Sequence, residues 1–540
     1  MKLPALPRPG GSGEEPDGDA PARGVGRTGR SLLACAAVLA AVLGVAELRP
    51  PAAPSARPTG APVSAQVERS TAVCPQPMQG LTGTTQITAV TPGDASGATG
   101  GTGTVRDIAP PAAAPAPAAS AAPAGPAPSG SPAAGQANDA KITLAKPGVP
   151  VSAPALNGDT TNGTSAVATG ALAPGFTVTQ TTTVTDPRGL GISGVTCRPA
   201  GTHFWFAGGS TAGDRKDYVS LTDDQAAAAV VDIHLYGDQG AIDTGDAGTG
   251  IKVDPGTSIG VLLTTLTNHQ VNDLAVEVVV RSGRVGAYLH AADGSAGADW
   301  VPASVDPAPS VLLPGLPADL SQARLIVAAP GGDDDADLKI QLSGPNGWFT
   351  PAGHETIHVK AGMVSAVNLD QINRQQVSAI RLTPSDPAHQ TAVIASVRVD
   401  RTANGKSDAA WVTGTAPIGK RATVADNRAG GSSTLLLTAT GDAAAVRVTA
   451  SAGTGGGSPA TKDVQLSAGS TVGLAVPEPS GGNGSFAVTV ETTSGSGVIA
   501  ARVLAVNTNN VPMFTVQELT DDHSYVQVPQ AQQDPGVLVH

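Results

Sequence analysis

Three stretches of this chain repeat one another at intervals of a little over a hundred residues, and that repeat limits the fold more than any short motif does. The clearest copies begin RLIVAAPGGDDDADLKIQLSG at Arg324 and STLLLTATGDAAAVRVTASAG at Ser433, and a third begins DYVSLTDDQAAAAVVDIHLYG at Asp217. A second block follows in each: IKVDPGTSIGVLL at Ile251, IHVKAGMVSAVNL at Ile357 and VQLSAGSTVGLAV at Val464. Its turn glycines, Gly256, Gly362 and Gly469, lie 106 and 107 residues apart. A third block closes each copy: AVEVVVRSGRVGAYLHAAD, SAIRLTPSDPAHQTAVIASVRVD and FAVTVETTSGSGVIAARVLAVN. A repeat of this length is a structural unit with its own core, so the chain is a tandem array. The segment ALAPGFTVTQTTTV, with Gly175, resembles the second block and predicts a degenerate first copy from about Val67 to Ala200.

Every block alternates Val, Ile, Leu and Thr with polar residues at period two, between Gly, Pro and Asp turns, which is the pattern of half-buried strands. Only DDQAAAA near Ala226 has the composition of a short helix. The expectation is an all-β protein of tandem immunoglobulin-like β-sandwich modules, since about 105 residues accommodate about seven strands. The alternative is a β-propeller with two blades per copy. The expected modules are 66–200, 201–297, 298–408 and 409–510, followed by a C-terminal strand and tail at 511–540. Composition separates linker from core: 67 Gly and 45 Pro stand against only 4 Trp, 4 Tyr and 6 Phe. The Pro/Ala/Gly-rich tract 91–140 is read as a disordered insertion in the first module, and 49–65 as a tether, because neither can bury enough apolar surface to order itself.

The N-terminus predicts an address. Residues 1–30 are a polar leader containing Arg23, Arg27 and Arg30, and SLLACAAVLAAVLGVAEL at 31–48 reads as a single membrane-spanning signal-anchor. The bulk of the chain is then extracytoplasmic. The alternative is a secreted protein, cleaved near Gly44-Val45-Ala46. Outside the membrane, Cys74 and Cys197 read as one disulfide, with two free buried thiols as the alternative. The net charge of −12 and the absence of any basic stripe exclude a nucleic-acid surface.

Two stretches mimic catalytic motifs. HETIH, His354 to His358, spells a zinc-peptidase signature, but it aligns with strand segments of the sister copies. On one strand the two histidines stand about 13 Å apart, too far for one zinc ion. GTSIG, Gly256 to Gly260, fits a nucleophile elbow, yet a strand rather than a helix follows it, leaving Ser258 an ordinary turn serine. The acidic run Asp333, Asp334, Asp335 and Asp337 lacks the glycine and distal glutamate of a calcium loop and reads as a solvated hairpin tip. No catalytic, cofactor-binding or metal-binding residue is expected. Trp205, Trp300 and Trp411 fall near copy boundaries, where they pack joints or stack a ligand.

With its N-terminal anchor, TAVCPQP around Cys74, GVTCRPAGTHFWFAG from Gly194 to Gly208, the HLYGDQG, VDPGTS and SGRVGAYLH blocks and the closing SYVQVPQAQQDPG, the chain resembles a family of actinobacterial exported proteins, domain of unknown function 5719. The resemblance covers most of residues 66–540 and implies an envelope-associated protein with no assigned activity. The function expected is a non-catalytic cell-envelope protein, a scaffold or binding surface for a cell-wall glycan or envelope protein, with no cofactor. The alternative is an extracellular hydrolase of zinc or serine type.

Overall fold

Period-two alternation becomes strand almost everywhere it occurs. In Ala336–Gly344 the side chains of Leu338, Ile340 and Leu342 are buried while Asp337 and Lys339 face water. Residues 62–529 are described in the computed structural model, except 78–82, 94–99, 111–139, 156–161, 186–189, 509–510 and the single positions 214, 295, 333, 431 and 496. Among the described residues the only helical segments are the short 3-10 turns Gly170–Leu172, Gly245–Gly248 and Leu263–Thr265. The segment at Ala226, expected as a short helix, is a bend between two strands. Its alanines join Tyr218–Asp223 to Ala229–Gly237 too tightly for a helical turn. No helix among the described residues is long and apolar enough to cross a membrane. The leader 1–30, the segment 31–48 and the tether up to Ala61 lie outside the described residues, whereas Val63–Gln66 form a strand.

Each copy folds into two sheets. In the second module one sheet orders His203–Gly209, Leu274–Ser282, Ala229–Gly237 and Gly240–Ile242, with Ile251–Val253 also on Ala229–Gly237. The other orders Thr257–Leu262, Tyr218–Asp223, Gly286–Asp293 and Gly297–Val301. The same order recurs in the other three copies. Apolar faces of the two sheets meet in one core per module, as with Val219, Leu221, Ile233, Val276 and Leu289 in the second. A propeller blade is a meander of consecutive strands, and none of these four- and five-stranded sheets runs consecutively, so the propeller alternative falls.

Several expected boundaries move. Gly297–Val301 and Lys406–Thr413 pair with the preceding Gly286–Asp293 and Ile394–Ala403, so Trp300 and Trp411 sit in the closing strands of the second and third modules rather than between copies. Val511–Leu519, expected as a C-terminal strand separate from the last module, likewise closes the fourth module on Val498–Thr508. Gly103–Asp107, inside the tract expected to be disordered, is a strand on Thr164–Thr169 with Val105 buried; one alternating GTVRD was enough to join a sheet. The stretch 111–139 lies outside the described residues. The first copy is real but in another register. Gly148, with φ +77, precedes Val151–Ala155 as Gly256, with φ +66, precedes Thr257–Leu262. Gly175 instead precedes Thr177–Val184, the counterpart of Gly286–Asp293.

The four modules form a closed ring. Their closing strands, Gly191–Thr196, Gly297–Val301, Lys406–Thr413 and Val511–Leu519, pack against one another in cyclic order, the fourth returning to the first. The opening strand of each module also lies on the second sheet of the next: His203–Gly209 on Ile394–Ala403, Val311–Leu316 on Val498–Thr508, and Arg421–Asn427 on Thr177–Val184. At the remaining joint the Tyr288 hydroxyl donates to the Val73 carbonyl. A head-to-tail contact repeated with closure leaves no unsatisfied end.

Polar side chains tie the axis. Ser193 Oγ donates to Ala298 O at 2.7 Å, Gly194 N–H to Asp299 at 2.9 Å, Phe514 N–H to Asp408 at 2.8 Å and Thr413 N–H to Glu518 at 2.6 Å. Burial pushes the carboxyls of Asp299 and Asp408 well above the usual range, and Glu518 up to about 7. In the first module Cys74 and Cys197 are joined by a disulfide between its opening strand and the residue after its closing strand.

Candidate binding site at a module joint

The joint between the second and third modules carries a cleft, and a backbone irregularity starts it. The opening strand of the second module bulges between Ala207 and Gly209, and the residue between them, Gly208, has φ +121. Only glycine takes that conformation without strain. The close approach also needs it, because a Cβ on Gly208 would stand 2.9 Å from the Trp411 indole. The chain then turns through Ser210 to Asp217 before the next strand.

Asp217 holds this turn together from inside. Its fully buried carboxylate accepts the N–H groups of Ser210 at 2.8 Å and Ala292 at 2.9 Å, and Arg215 grips it with Nε at 3.0 Å and Nη2 at 2.6 Å. Burial raises its pKa although Arg215 and these hydrogen bonds work the other way. From the third module, Arg398 reaches Asp400 at 2.9 Å and crosses the joint to Asp293 at 3.1 Å. Burial opposes the Arg398 charge, but the two aspartates outweigh it and hold the guanidinium charged. Arg324 also crosses, forking onto Asp273 at 2.9 and 2.5 Å, with Nη1 on Asn368 at 2.6 Å. A fork onto one carboxylate fixes both distance and plane.

These side chains surround an open cleft of about 490 Å³, within the size range of small-molecule sites. Trp411 lies buried beneath it, with Arg215 5.7 Å and Arg398 5.5 Å from the ring centre. Cation–π contact and ion pairing thus hold both guanidiniums at the cleft rather than in bulk water. A void of about 30 Å³ near the axis, bordered by Gly194, Arg198, Tyr288 and Glu518, has room for little more than one water.

The three tryptophans are spent on packing. Trp205, Trp300 and Trp411 are 5%, 1% and 0% exposed, which leaves no ring face for stacking a ligand. Trp205 meets Ile326, Ala328 and Ile394 of the third module, and Trp300 lies against Val195 of the first as well as Tyr218, Tyr288 and His290. Trp348, not singled out in the sequence, does the same at the next joint: its Nε1 donates to Thr440 O at 3.1 Å, with Arg381 4.4 Å over the ring.

The motif-like residues are also occupied. The strand spans Thr356–Val359, with Ile357 and Val359 buried and Thr356 and His358 facing out. His354 and Glu355 precede it rather than sharing it, because the His354 amide closes a turn onto Pro351 O. His358 Nδ1 is hydrogen-bonded to Asp337 at 2.8 Å. Ser258 Oγ accepts the Gly163 N–H of the first module at 2.9 Å and lies 3.0 Å from Thr222 Oγ1. Of the acidic run, Asp335 accepts the Ala361 N–H at 2.9 Å. Among the described residues no group of three or more His, Cys, Asp or Glu is placed to hold a metal ion.

The cleft arginines escaped sequence reasoning because 215, 324 and 398 belong to different blocks. The available signal was the company they keep, RKD at 215–217 and RVD at 398–400, in a chain where charged residues are only 14%. A family model described as a family of unknown function, DUF5719, matches residues 151–477. No curated protein matches the chain.

Proposed function

Since the chain belongs to DUF5719, a family of unknown function, we propose its role from its architecture: a non-catalytic cell-envelope protein whose β-modules scaffold, and offer a binding surface to, an envelope glycan or protein partner. The observation that carries this is the cleft at the second joint, framed by two modules and walled by arginines held in place by partners of their own. Binding residues on β-scaffolds usually sit where rigid strands give way to loops, as the turn from Ser210 to Asp217 does.

In this reading the modules are immunoglobulin-like, a view supported by their non-consecutive order of four or five strands in each of two facing sheets. Residues 31–48 anchor the chain once in the cell membrane, with the modules outside; secretion after cleavage is the alternative. The disulfide suits an oxidising compartment. The modules act as a non-enzymatic platform, since the side chains that mimic zinc and serine motifs are engaged in holding strands and joints.

The test is cosedimentation of the purified protein with isolated cell envelopes, run beside a broad peptidase and esterase screen. Saturable binding without turnover is expected. Turnover abolished by His354→Ala or Ser258→Ala would overturn the reading in favour of a hydrolase.

A further inference from the structure

We propose that a pocket at the edge of the third module binds one ring of a neutral glycan, with Phe349 as the stacking surface and Asp370 and Arg374 as the hydroxyl-binding groups. This rests on the reading of the protein as a binder of envelope polymers, but the pocket shares no lining residue with the cleft at the second joint. Its volume is about 240 Å³, smaller than a drug-sized site and suited to a single sugar ring. Alternation along Gly347–Phe349 sends Trp348 to the fourth module, where its Nε1 donates to Thr440 O, and turns Phe349 the other way. Phe349 is 37% exposed, whereas Trp205, Trp300 and Trp411 are buried. Ile372 adds to the apolar lining.

Most of the remaining lining comes from the loop after the edge strand Val364–Asn368, and its backbone is unusual. Of the six non-glycine residues with left-handed φ among the described residues, three lie here: Asp370 at +47, Arg374 at +51 and Gln375 at +61. The corresponding loops of the second and fourth modules, 263–273 and 476–485, hold none. Such residues persist only where surrounding contacts hold them, and they gather at binding sites. Here Ala323 exchanges backbone hydrogen bonds with Leu369 and Asp370, and the buried Asn373 amide donates to Pro317 O at 2.7 Å. The loop is fixed while its side chains stay available. Among the described residues no hydrogen bond or ion pair engages the side chains of Asp370, Gln371 or Arg374. Asp370 and Arg374 balance in charge, and His354, also in the lining, interacts with the Glu355 carboxylate. A balanced lining does not select an ion. A sugar hydroxyl both donates and accepts, so it uses carboxylate and guanidinium together, while the C–H face of the ring covers Phe349.

The experiment is a saturation-transfer NMR titration of the full chain with the methyl glycosides of glucose, galactose and mannose, and with glucuronate. At least one neutral glycoside should bind, with saturation concentrated on the C–H protons of one ring face, and glucuronate should bind no more tightly. Phe349→Ala should weaken that glycoside about tenfold or more at an unchanged melting temperature, since the ring is exposed. Asp370→Asn keeps a residue that tolerates left-handed φ but removes the carboxylate. It should weaken binding about fivefold, and it decides the matter if Phe349→Ala fails to fold. Undiminished binding in a folded Phe349→Ala or in Asp370→Asn, or tighter binding of glucuronate, would overturn the proposal. So would failure of every glycoside to bind a chain that still cosediments with envelopes, although that result leaves the binding reading standing. Loss of cosedimentation as well would remove the reading itself.

Discussion

The hydroxyl of Ser396 donates to the carbonyl of Ala207, 189 residues away, over 2.6 Å. Tyr288 makes the corresponding bond to Val73 one joint earlier. Both donors sit in the second sheet of one module and reach the opening strand of the module before it. The joint is therefore part of the repeat, and its geometry depends on the bulge that follows Ala207.

Gly208→Ala should destabilise the protein by about 2 kcal/mol or more, since it combines a strained positive φ with a methyl 2.9 Å from Trp411. Gly213→Ala is the control: φ is +58, but nothing lies within 4 Å of the added carbon, so the loss should be about 1 kcal/mol. Chemical denaturation of the two variants separates the joint from ordinary backbone strain. Equal losses would mean that the contact with Trp411 is unimportant.

Trp300→Ala should cost about 3–5 kcal/mol, because the side chain is 1% exposed and fills the first–second joint against Val195, Tyr218 and Tyr288. Envelope binding measured below the lowered melting temperature should be unchanged. Lost binding at unchanged stability would restore the tryptophan to a recognition role.

The disulfide closes a stretch of 123 residues that includes 111–139. Its reduction should destabilise the first module by about 3–5 kcal/mol. Peptide mapping after thiol labelling in denaturant without reductant should find Cys74 and Cys197 unmodified. Label on both would show that the pair is open in the protein.

Glu518 supplies a pH signature. Burial raises its pKa from 4.5 to about 7, against the Thr413 N–H and the charge of Arg198. A carboxyl whose folded pKa is raised favours folding while protonated, so its stabilising effect declines as pH rises from about 4.5 to 7. His290, lowered to about 3 by burial and by Arg215, acts in the opposite sense, because the unfolded chain takes up its proton as pH falls below 6.5. The difference between Glu518→Gln and the parent isolates the first effect. The variant should match the parent near pH 4.5 and exceed it by up to about 3 kcal/mol at pH 8. A pH-independent difference would place the carboxyl in an unshifted environment.

The strands and the repeat were legible because alternation such as Val446, Arg447, Val448 is local and survives in every copy. Three things were not. The register of the first copy was not, because its equivalent turn, at Gly148, is cut off from the strands before it by the Pro/Ala tract. The module ends were not, because Trp300 and Trp411 recur at copy spacing like boundary marks, whereas they are closing-strand residues that face a neighbouring module. The ring and its cleft arise from contacts such as Gly194 with Asp299 and Arg324 with Asp273, which leave no periodic trace in the chain.

Ring closure between the fourth and first modules is the relationship on which the scaffold reading most depends, and one pair of residues reports it. Ser152 Oγ and Ser485 Oγ lie 3.3 Å apart across that joint although 333 residues separate them. A chain carrying Ser152→Cys and Ser485→Cys should form the new disulfide under mild oxidation, monomeric and at full yield, and should migrate faster on a non-reducing gel than either single variant. A double variant that stays reduced, or that oxidises only into intermolecular dimers, would show the modules strung in an open array and contradict the closed ring.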